Sequence, residues 1–566
     1  MIKAGFCKPN GRWSLADYTG LAILLAAAST LFLSGLSLRS LWGSEGRWAV
    51  VAREMMQTGN YFLPTINGQV YFDKPLLSYW AIIPFSWFTG VTETSARLPG
   101  ALAGIAVAGV IFAVGRRLFG RETGFLGGVI LLTTVMFGFW SRTASAELLN
   151  VLAIWLMLWI LAGDDPKPSF RRYLVFYLVA ALSSFCKGPV APAVALVTTV
   201  ALSSMETIVD IRHSGTHRIR QSLARHFNWI ASLRGSLAAL CGLAAFILLL
   251  FLPVIVTGSR DAVELMWREN VTRFFKPFDH VEPFYSYFKH IPIFLLPWSF
   301  VAIASLITIR KWEAGWSRRW LVCVTIAIFI FFTISGSRRS YYILPIVPAF
   351  ALIMGRSLAG FLYRTGETDS PVMKAALLVT GCLPVLAGVA MIITYLKFGQ
   401  YRHISEIALG PVSLIAGVFA SMFIFKRKFI QGTAITVILF FCLLLWGYTV
   451  GSVIGERPRM LKPFAAELKS YVKDIDNSKM ALYKMGNSSL IFYLGMSKPV
   501  KTIDDEIRVC TYVRKPGNYL LTEEALADEI VTRCGHENMA RVLTQASEGR
   551  KHDREGLVLF RTGGGS

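Results

Sequence analysis

Thirteen apolar runs lie between Asp17 and Val453, most of them near the roughly 20 residues a helix needs to cross a bilayer and several shorter, notably the pair that meets at Lys187. The runs fall at 17–38, 96–115, 123–140, 146–162, 173–186, 188–204, 235–257, 290–309, 320–335, 341–362, 373–396, 408–425 and 431–453. Hydrocarbon offers no partner for a backbone N–H or C=O, so each run is predicted to be a helix that satisfies its own backbone. A chain that is 54% hydrophobic and 16% charged, with mean hydropathy +0.51, lies outside the soluble globular range. The fold class expected is a polytopic α-helical membrane protein. Lys3, Lys8 and Arg12 precede the first run, which is too long for a signal h-region and lacks a small-residue cleavage site, so it reads as a retained span.

The net charge of +23 would suggest nucleic acid in a soluble protein, but no recognition motif accompanies it. The basic residues instead cluster between runs: Arg116 and Arg117, Arg171 and Arg172, the stretch Arg212–Arg234, Arg318 and Arg319, Lys426–Lys428. They alternate onto the side of the N-terminus, which the positive-inside rule makes cytoplasmic. An odd number of spans then sends the segment after Val453 to the opposite, periplasmic face, with the outer loops 40–95 and 258–289. The expected organisation is a membrane domain at 1–455 and a small domain at 456–566.

In that last segment charge returns and the apolar runs shorten to strand length, as in MALYKM, LIFYL, NYLLT and LVLF. With an amphipathic helix at Lys462–Val472, this predicts a small α/β domain. Cys510 and Cys534 lie in it and would form a disulfide outside the cytoplasm. Cys186, Cys241, Cys323, Cys382 and Cys442 sit in or beside apolar runs and read as core residues; no metal-binding spacing appears among the cysteines.

Five polar sites interrupt the apolar pattern. Ser44–Trp80 holds Glu45, Arg47, Arg53, Glu54, Asp73 and Lys74 with turns at Gly59-Asn60 and Asn67-Gly68. Ionised groups beside hydrocarbon are costly unless water or a polar ligand meets them. Ser145-Ala146-Glu147 reads as a helix start, where an acid suits the macrodipole. Lys187 sits between two runs, ahead of Gly188, Pro189 and Pro192; a snorkelling lysine and a ligand of an anionic headgroup are both open readings. The loop Met266–His290 mixes Arg268, Arg273 and Lys276 with acids and aromatics. It is either an interfacial aromatic belt or a phosphate and sugar surface; His280 alone reads as structural. Arg338 and Arg339 stand on the outer side, against the topology rule. Anion binding accounts for them, with Lys74, Lys187, Arg273, Arg338 and Arg339 expected to converge on a phosphate.

The runs EGRWAVVAREMMQTGNYFLP, NGQVYFDKPLLSYW, ARLPGALAG, the KGP at Lys187, RENVTRF and SRRSYYILPIVPA resemble bacterial membrane glycosyltransferases related to the aminoarabinose transferase of lipid A and to protein O-mannosyltransferases. The likeness covers about 1–360, more weakly to 453. It implies the GT-C fold and transfer of a sugar from a polyprenyl phosphate carrier to an envelope acceptor, either lipid A, another glycan or protein, at the outer face of the inner membrane. The partners implied are a polyprenyl-phosphate sugar, a lipid or glycan acceptor and membrane lipids, with no nucleic acid. The acidic pair that opens the family's first outer loop matches Ser44-Glu45, so Glu45 is the surviving acid and Ser44 stands where relatives usually carry Asp. Glu147 matches a position where relatives usually have Asp. Glu45 and Glu147 are therefore the candidate catalytic carboxylates. In Tyr71-Phe72-Asp73-Lys74-Pro75 the lysine resembles a donor-phosphate ligand, and Asp73 with Glu269, which stands in place of the family's histidine, would hold one divalent cation. Without the imidazole, zinc is disfavoured. Arg47, Asn270, Tyr341 and Tyr342 are expected to support the site. A flippase of lipid-linked sugars is the competing class, but such transporters show internal repeats and midplane helix breaks, and no repeat is visible. A headgroup-binding subunit without activity is the third.

Overall fold

The computed structural model describes residues 12–162, 169–214, 219–258, 264, 268, 272, 282–363, 370–397, 403–456, 461–472, 479–545 and 556–563. The chain folds into two compact units, one of Met1–Ser34, Asp73–Ser78 and Arg97–Tyr448, the other of Gly35–Phe72, Tyr79–Ala96 and Thr449–Ser566.

The first unit is that of a multi-pass membrane protein. Among the described residues nine helices are long and apolar enough to span a bilayer, or up to eleven if each of two bent pairs is one span. Every one of the thirteen expected runs is helical. The difference in count comes from Glu147–Leu161, with only 15 residues, and from Phe170–Lys187, which carries Arg171, Arg172 and Lys187 at its ends.

The bends have local causes. Arg121–Leu132 and Val135–Ser141 meet at 71°. At the break the hydroxyls of Thr133 and Thr134 donate back to the carbonyls of Val129 and Ile130, each at 2.7 Å, which favours departure from a straight helix. Ser286–Phe294 and Ser299–Lys311 meet at 111° across Pro297, which has no N–H to continue a helix. The two breaks are joined: Val135 N–H donates to Leu296 O at 2.9 Å and Trp298 Nε1 to Thr133 Oγ1 at 2.9 Å. Glycines set the closest helix contacts. A Cβ on Gly355 would lie 2.6 Å from Gly127 N, so Val347–Tyr363 and Arg121–Leu132 touch backbone to backbone. Of the cysteines expected in the core, only Cys186 is buried; Cys323 is partly so, and Cys241, Cys382 and Cys442 are exposed on helix faces that a bilayer would cover.

The second unit carries a hairpin, β1 (Thr65–Ile66) and β2 (Gln69–Val70), and a five-stranded sheet of β3 (Met480–Tyr483), β4 (Lys501–Ile503), β5 (Tyr519–Glu523), β6 (Met539–Thr544) and β7 (Leu557–Thr562). The sheet order is β4-β3-β5-β7-β6, parallel where β3 meets β4 and β5, antiparallel elsewhere. Leu520, Val558 and Phe560 meet Val509, Val513 and Ile530 of the flanking helices Glu506–Val513 and Glu524–Cys534 in one core. The α/β class is as expected, and the helix predicted at Lys462–Val472 appears as Leu461–Tyr471. One strand expectation fails. LIFYL lies in the helix Ser488–Leu494, because Asn487 Oδ1 caps Leu490 N–H at 3.1 Å and Gly495, at φ 63°, ends it about two turns later.

Cys510 and Cys534 form a disulfide between the two flanking helices, 24 residues apart. Closing a loop of that length restricts the unfolded chain by about 3.5 kcal/mol. The Cys510→Ser, Cys534→Ser protein is therefore expected to lose about that much stability in this domain, read as faster limited proteolysis of the tail with the membrane helices intact.

Candidate functional site

In the membrane unit the structure gathers five of the expected residues at the ends of three elements. Glu147 opens the helix Glu147–Leu161 and is buried. Lys187 closes Phe170–Lys187, where Gly188 turns the chain away at φ 75°. Lys187 Nζ and Glu147 Oε2 form an ion pair, and the ammonium also lies 5.1 Å from the centre of the Tyr342 ring. Tyr341 meets Tyr342 edge to face at 5.1 Å, stacks on Trp140 at 4.4 Å, and accepts from Arg339 Nη1 at 2.7 Å. Two cations, one carboxylate and three aromatic rings thus occupy one neighbourhood. Arginine and lysine over aromatic faces keep their charge while partly desolvated, a suitable setting for an anionic, partly apolar ligand.

Arg338 is placed differently. Its Nη1 donates to Glu282 O at 2.6 Å, and Nη2 and Nε donate to Thr333 O at 3.0 and 3.2 Å. It ties Glu282, four residues ahead of Ser286–Phe294, to the last turn of Trp316–Ile334, and its donors are largely spent on that task. Lys74 meets its neighbour: Nζ lies 2.9 Å from Asp73 Oδ1. Glu269, Asn270 and Arg273 lie outside the described residues.

Asp73, the described half of the expected metal pair, is thus held in an ion pair. Among the described residues no group of three or more His, Cys, Asp or Glu side chains gathers to hold a metal ion. Hard cations take six or more oxygen ligands. Water supplies several of these around a small cation, and Glu269, the other expected ligand, lies outside the described residues.

Sequence reasoning passed over Tyr287. It is fully buried, and among the described residues its hydroxyl has no hydrogen-bond partner. Glu147, Tyr342 and Arg338 all lie within electrostatic range of it. A buried hydroxyl left without a partner costs free energy unless something else meets it. One aromatic among many in a belt-like loop gave no signal of this. Arg142 was also missed. The residue is 8% exposed, and its guanidinium donates to Leu31 O at 2.9 Å, Phe32 O at 3.2 Å and Tyr448 O at 3.1 Å.

In the second unit Glu45 starts the helix Glu45–Thr58 and is 1% exposed. Its Oε2 accepts from Arg39 Nη2 at 3.0 Å and from Trp42 N–H at 3.2 Å. This carboxylate is firmly oriented and charge-paired. Arg47 Nη1 donates to Tyr71 OH at 2.6 Å. Two other charges of this stretch build structure. Arg53 donates to the carbonyls of Phe492 and Ile491 at 2.7 and 3.0 Å, at the end of Ser488–Leu494 where the macrodipole favours a cation; burial lowers its affinity for the proton while Glu54 raises it. Glu54 accepts from Thr65 Oγ1, Asn67 N–H and Gly68 N–H at 2.5, 2.7 and 3.2 Å, holding the turn of the hairpin, where Asn67 and Gly68 both have positive φ. Asn67 then pairs with Val500 in both directions, Nδ2 to Val500 O at 2.8 Å and Val500 N–H to Oδ1 at 2.6 Å.

Residues 73–217 match the family described as Dolichyl-phosphate-mannose-protein mannosyltransferase. The chain is 25% identical over 426 residues to the undecaprenyl phosphate-alpha-4-amino-4-deoxy-L-arabinose arabinosyl transferase of Erwinia tasmaniensis, covering 70% of each protein. Its fold is similar to ArnT from Cupriavidus metallidurans, with TM-score 0.72 and 17% identity in the apo state, over 97% of this chain and 99% of that one. Against the same protein bound to undecaprenyl phosphate the TM-score is 0.70 at 18% identity, over 97% and 98%.

Proposed function

Given a chain with the GT-C fold that is related to the aminoarabinose transferases of lipid A, we propose that it moves a sugar from a polyprenyl phosphate carrier to an envelope acceptor at the outer face of a bacterial inner membrane. The N-terminus is then cytoplasmic, and the polar site and the C-terminal domain are periplasmic. The observation that carries this reading is the Lys187–Glu147 ion pair beside Tyr342, Tyr341 and Arg339.

The chemistry is displacement at the anomeric carbon: the acceptor oxygen forms the new bond, the bond to the carrier phosphate breaks, and polyprenyl phosphate leaves with the electron pair. Lys187 and Arg339 meet the phosphate. Fixed cations aimed at charge that develops on a leaving group lower the barrier without reorganising. When the phosphate draws the Lys187 ammonium to itself, Glu147 is released from its partner and takes the acceptor proton. Donor binding thereby creates the base. Tyr287 gives its unmatched hydroxyl to the sugar or the phosphate. Lys74 and Arg273 remain further phosphate ligands of the proposal, and a divalent cation at Asp73 and Glu269 an adjunct that these steps do without.

The test uses the full chain in liposomes with labelled polyprenyl-phosphate sugar and extracted envelope acceptors. Labelled acceptor together with free polyprenyl phosphate is the expected result; headgroup translocation without acceptor labelling would favour a flippase. Glu45→Gln separates the two carboxylates. Because Glu45 is held by Arg39 and Trp42 N–H, the substitution is expected to lower transfer about tenfold, the share of a positioning contact rather than of a base. A loss as deep as that of Glu147→Gln would transfer the role of base to Glu45.

A further inference from the structure

The helices that carry the Glu147–Lys187 pair at one end border a second polar space at the other. Glu147–Leu161 and Phe170–Lys187 run in opposite directions, so Leu161 and Arg172 lie about 20 Å from the pair along the helix axes. There a cavity of about 120 Å³ opens, lined also by Glu206, His226, Asn228, Trp229, Trp316 and Trp320. A single water needs roughly 10–15 Å³ on this measure, so the space admits a group larger than a few solvent molecules.

The charges around it are unequally matched. Glu206 is held in a fork by Arg319, Nε to Oε1 at 2.7 Å and Nη2 to Oε2 at 2.6 Å. Asp210 meets His226 Nε2 at 2.9 Å and Arg225 Nη1 at 3.3 Å. Both acids are therefore answered. Arg172 is not: its Nη2 reaches Tyr173 OH only at 3.4 Å, its guanidinium lies 5.2 Å from the Tyr173 ring centre, and among the described residues its buried Nε–H finds no hydrogen-bond partner. The Tyr173 hydroxyl is itself committed to Asn228 Oδ1 at 2.5 Å. Among the described residues no carboxylate answers Arg172 in the cavity.

The rim indicates where an anion for Arg172 comes from. The short helix Ile219–His226 exposes Ile219 and Leu223 one turn apart alongside Arg220 and Arg225, the pattern of a helix lying in the membrane interface. Trp229, Trp316 and Trp320 wall the cavity with aromatic rings, an apolar surface for the carbon-rich part of a headgroup. Basic pockets between membrane helices at headgroup depth suit anionic lipids. We propose that the cavity binds the phosphate of an anionic phospholipid, with Arg172 as its principal ligand and Arg225 at the rim. The site is separate from the transfer centre and does not depend on the transferase reading.

The full chain in detergent would be titrated with phosphatidylglycerol or phosphatidylcholine and followed by native mass spectrometry, with inorganic phosphate in a separate arm. One retained phosphatidylglycerol per chain is expected, with apparent affinity about tenfold or more weaker in Arg172→Gln, the loss of a charged hydrogen bond, and phosphatidylcholine held no better than phosphatidylglycerol is by that variant. Arg172→Lys keeps the charge but not the fork, and is expected to match the wild-type unfolding temperature without restoring affinity. Equal retention by wild type and a folded Arg172→Gln would overturn the proposal. So would full rescue by lysine, or millimolar phosphate that displaces the lipid while phosphatidylglycerol and phosphatidylcholine bind alike.

Discussion

Lys187→Ala is expected to lower the initial rate of sugar transfer by about a hundredfold or more, the usual cost of one oriented charge in a transfer site. The same change strands Glu147, a buried carboxylate that loses its ion-pair partner, so the variant should also unfold at lower temperature. The two effects separate in the double variant. Lys187→Ala with Glu147→Gln removes both charges, restores much of the unfolding temperature and leaves transfer as low as in the weaker single variant, because the pair acts as a unit. Rates in liposomes and thermal unfolding in detergent read the two quantities independently. A double variant that regains transfer would remove both residues from the mechanism.

Arg142→Met should be the most destabilising single change in the membrane unit. It strips the donors from three carbonyls, those of Leu31 and Phe32 at the end of Leu15–Leu33 and that of Tyr448 after Phe429–Trp446. Each acceptor left in a dry interior costs about 1–3 kcal/mol, so a total on the order of 4 kcal/mol is expected. Arg142→Lys recovers only part, since one ammonium cannot span three acceptors on two segments as a planar fork does. Denaturation by sodium dodecyl sulfate, followed through tryptophan fluorescence, measures both. A loss under about 1 kcal/mol would mean that the carbonyls find other partners.

Hydropathy made all thirteen helical runs legible because length and apolar content are what a bilayer demands. The bends were not legible, since a hydroxyl such as that of Thr133 bonds to its own helix with or without a kink. Pro297 marked a break but not its angle. LIFYL misled because a short apolar run serves a buried helix as well as a strand; only the Asn487 cap and Gly495 distinguish them. In the site, Glu147 and Lys187 stood out as charges where hydrocarbon should be, and the structure pairs them. Arg338 stood out for the same reason, yet it spends its guanidinium on Thr333 and Glu282 carbonyls, a use that no spacing announces. Tyr287 was invisible for the opposite reason: an aromatic side chain is unremarked in such a loop until its hydroxyl is found without a partner.

The two-way pairing of Asn67 with Val500 joins residues 433 apart in the chain. Synthesis runs at about 5–20 residues per second, so the hairpin at 65–70 waits roughly 20–90 seconds before the segment it pairs with exists. During that interval the turn held by Glu54 has its local bonds but not its long-range ones. A ribosome halted after the final membrane helix would leave the opening loop complete in sequence yet unfinished in structure. Maturation of the second unit is therefore timed by the last residues made, not by insertion of the membrane helices.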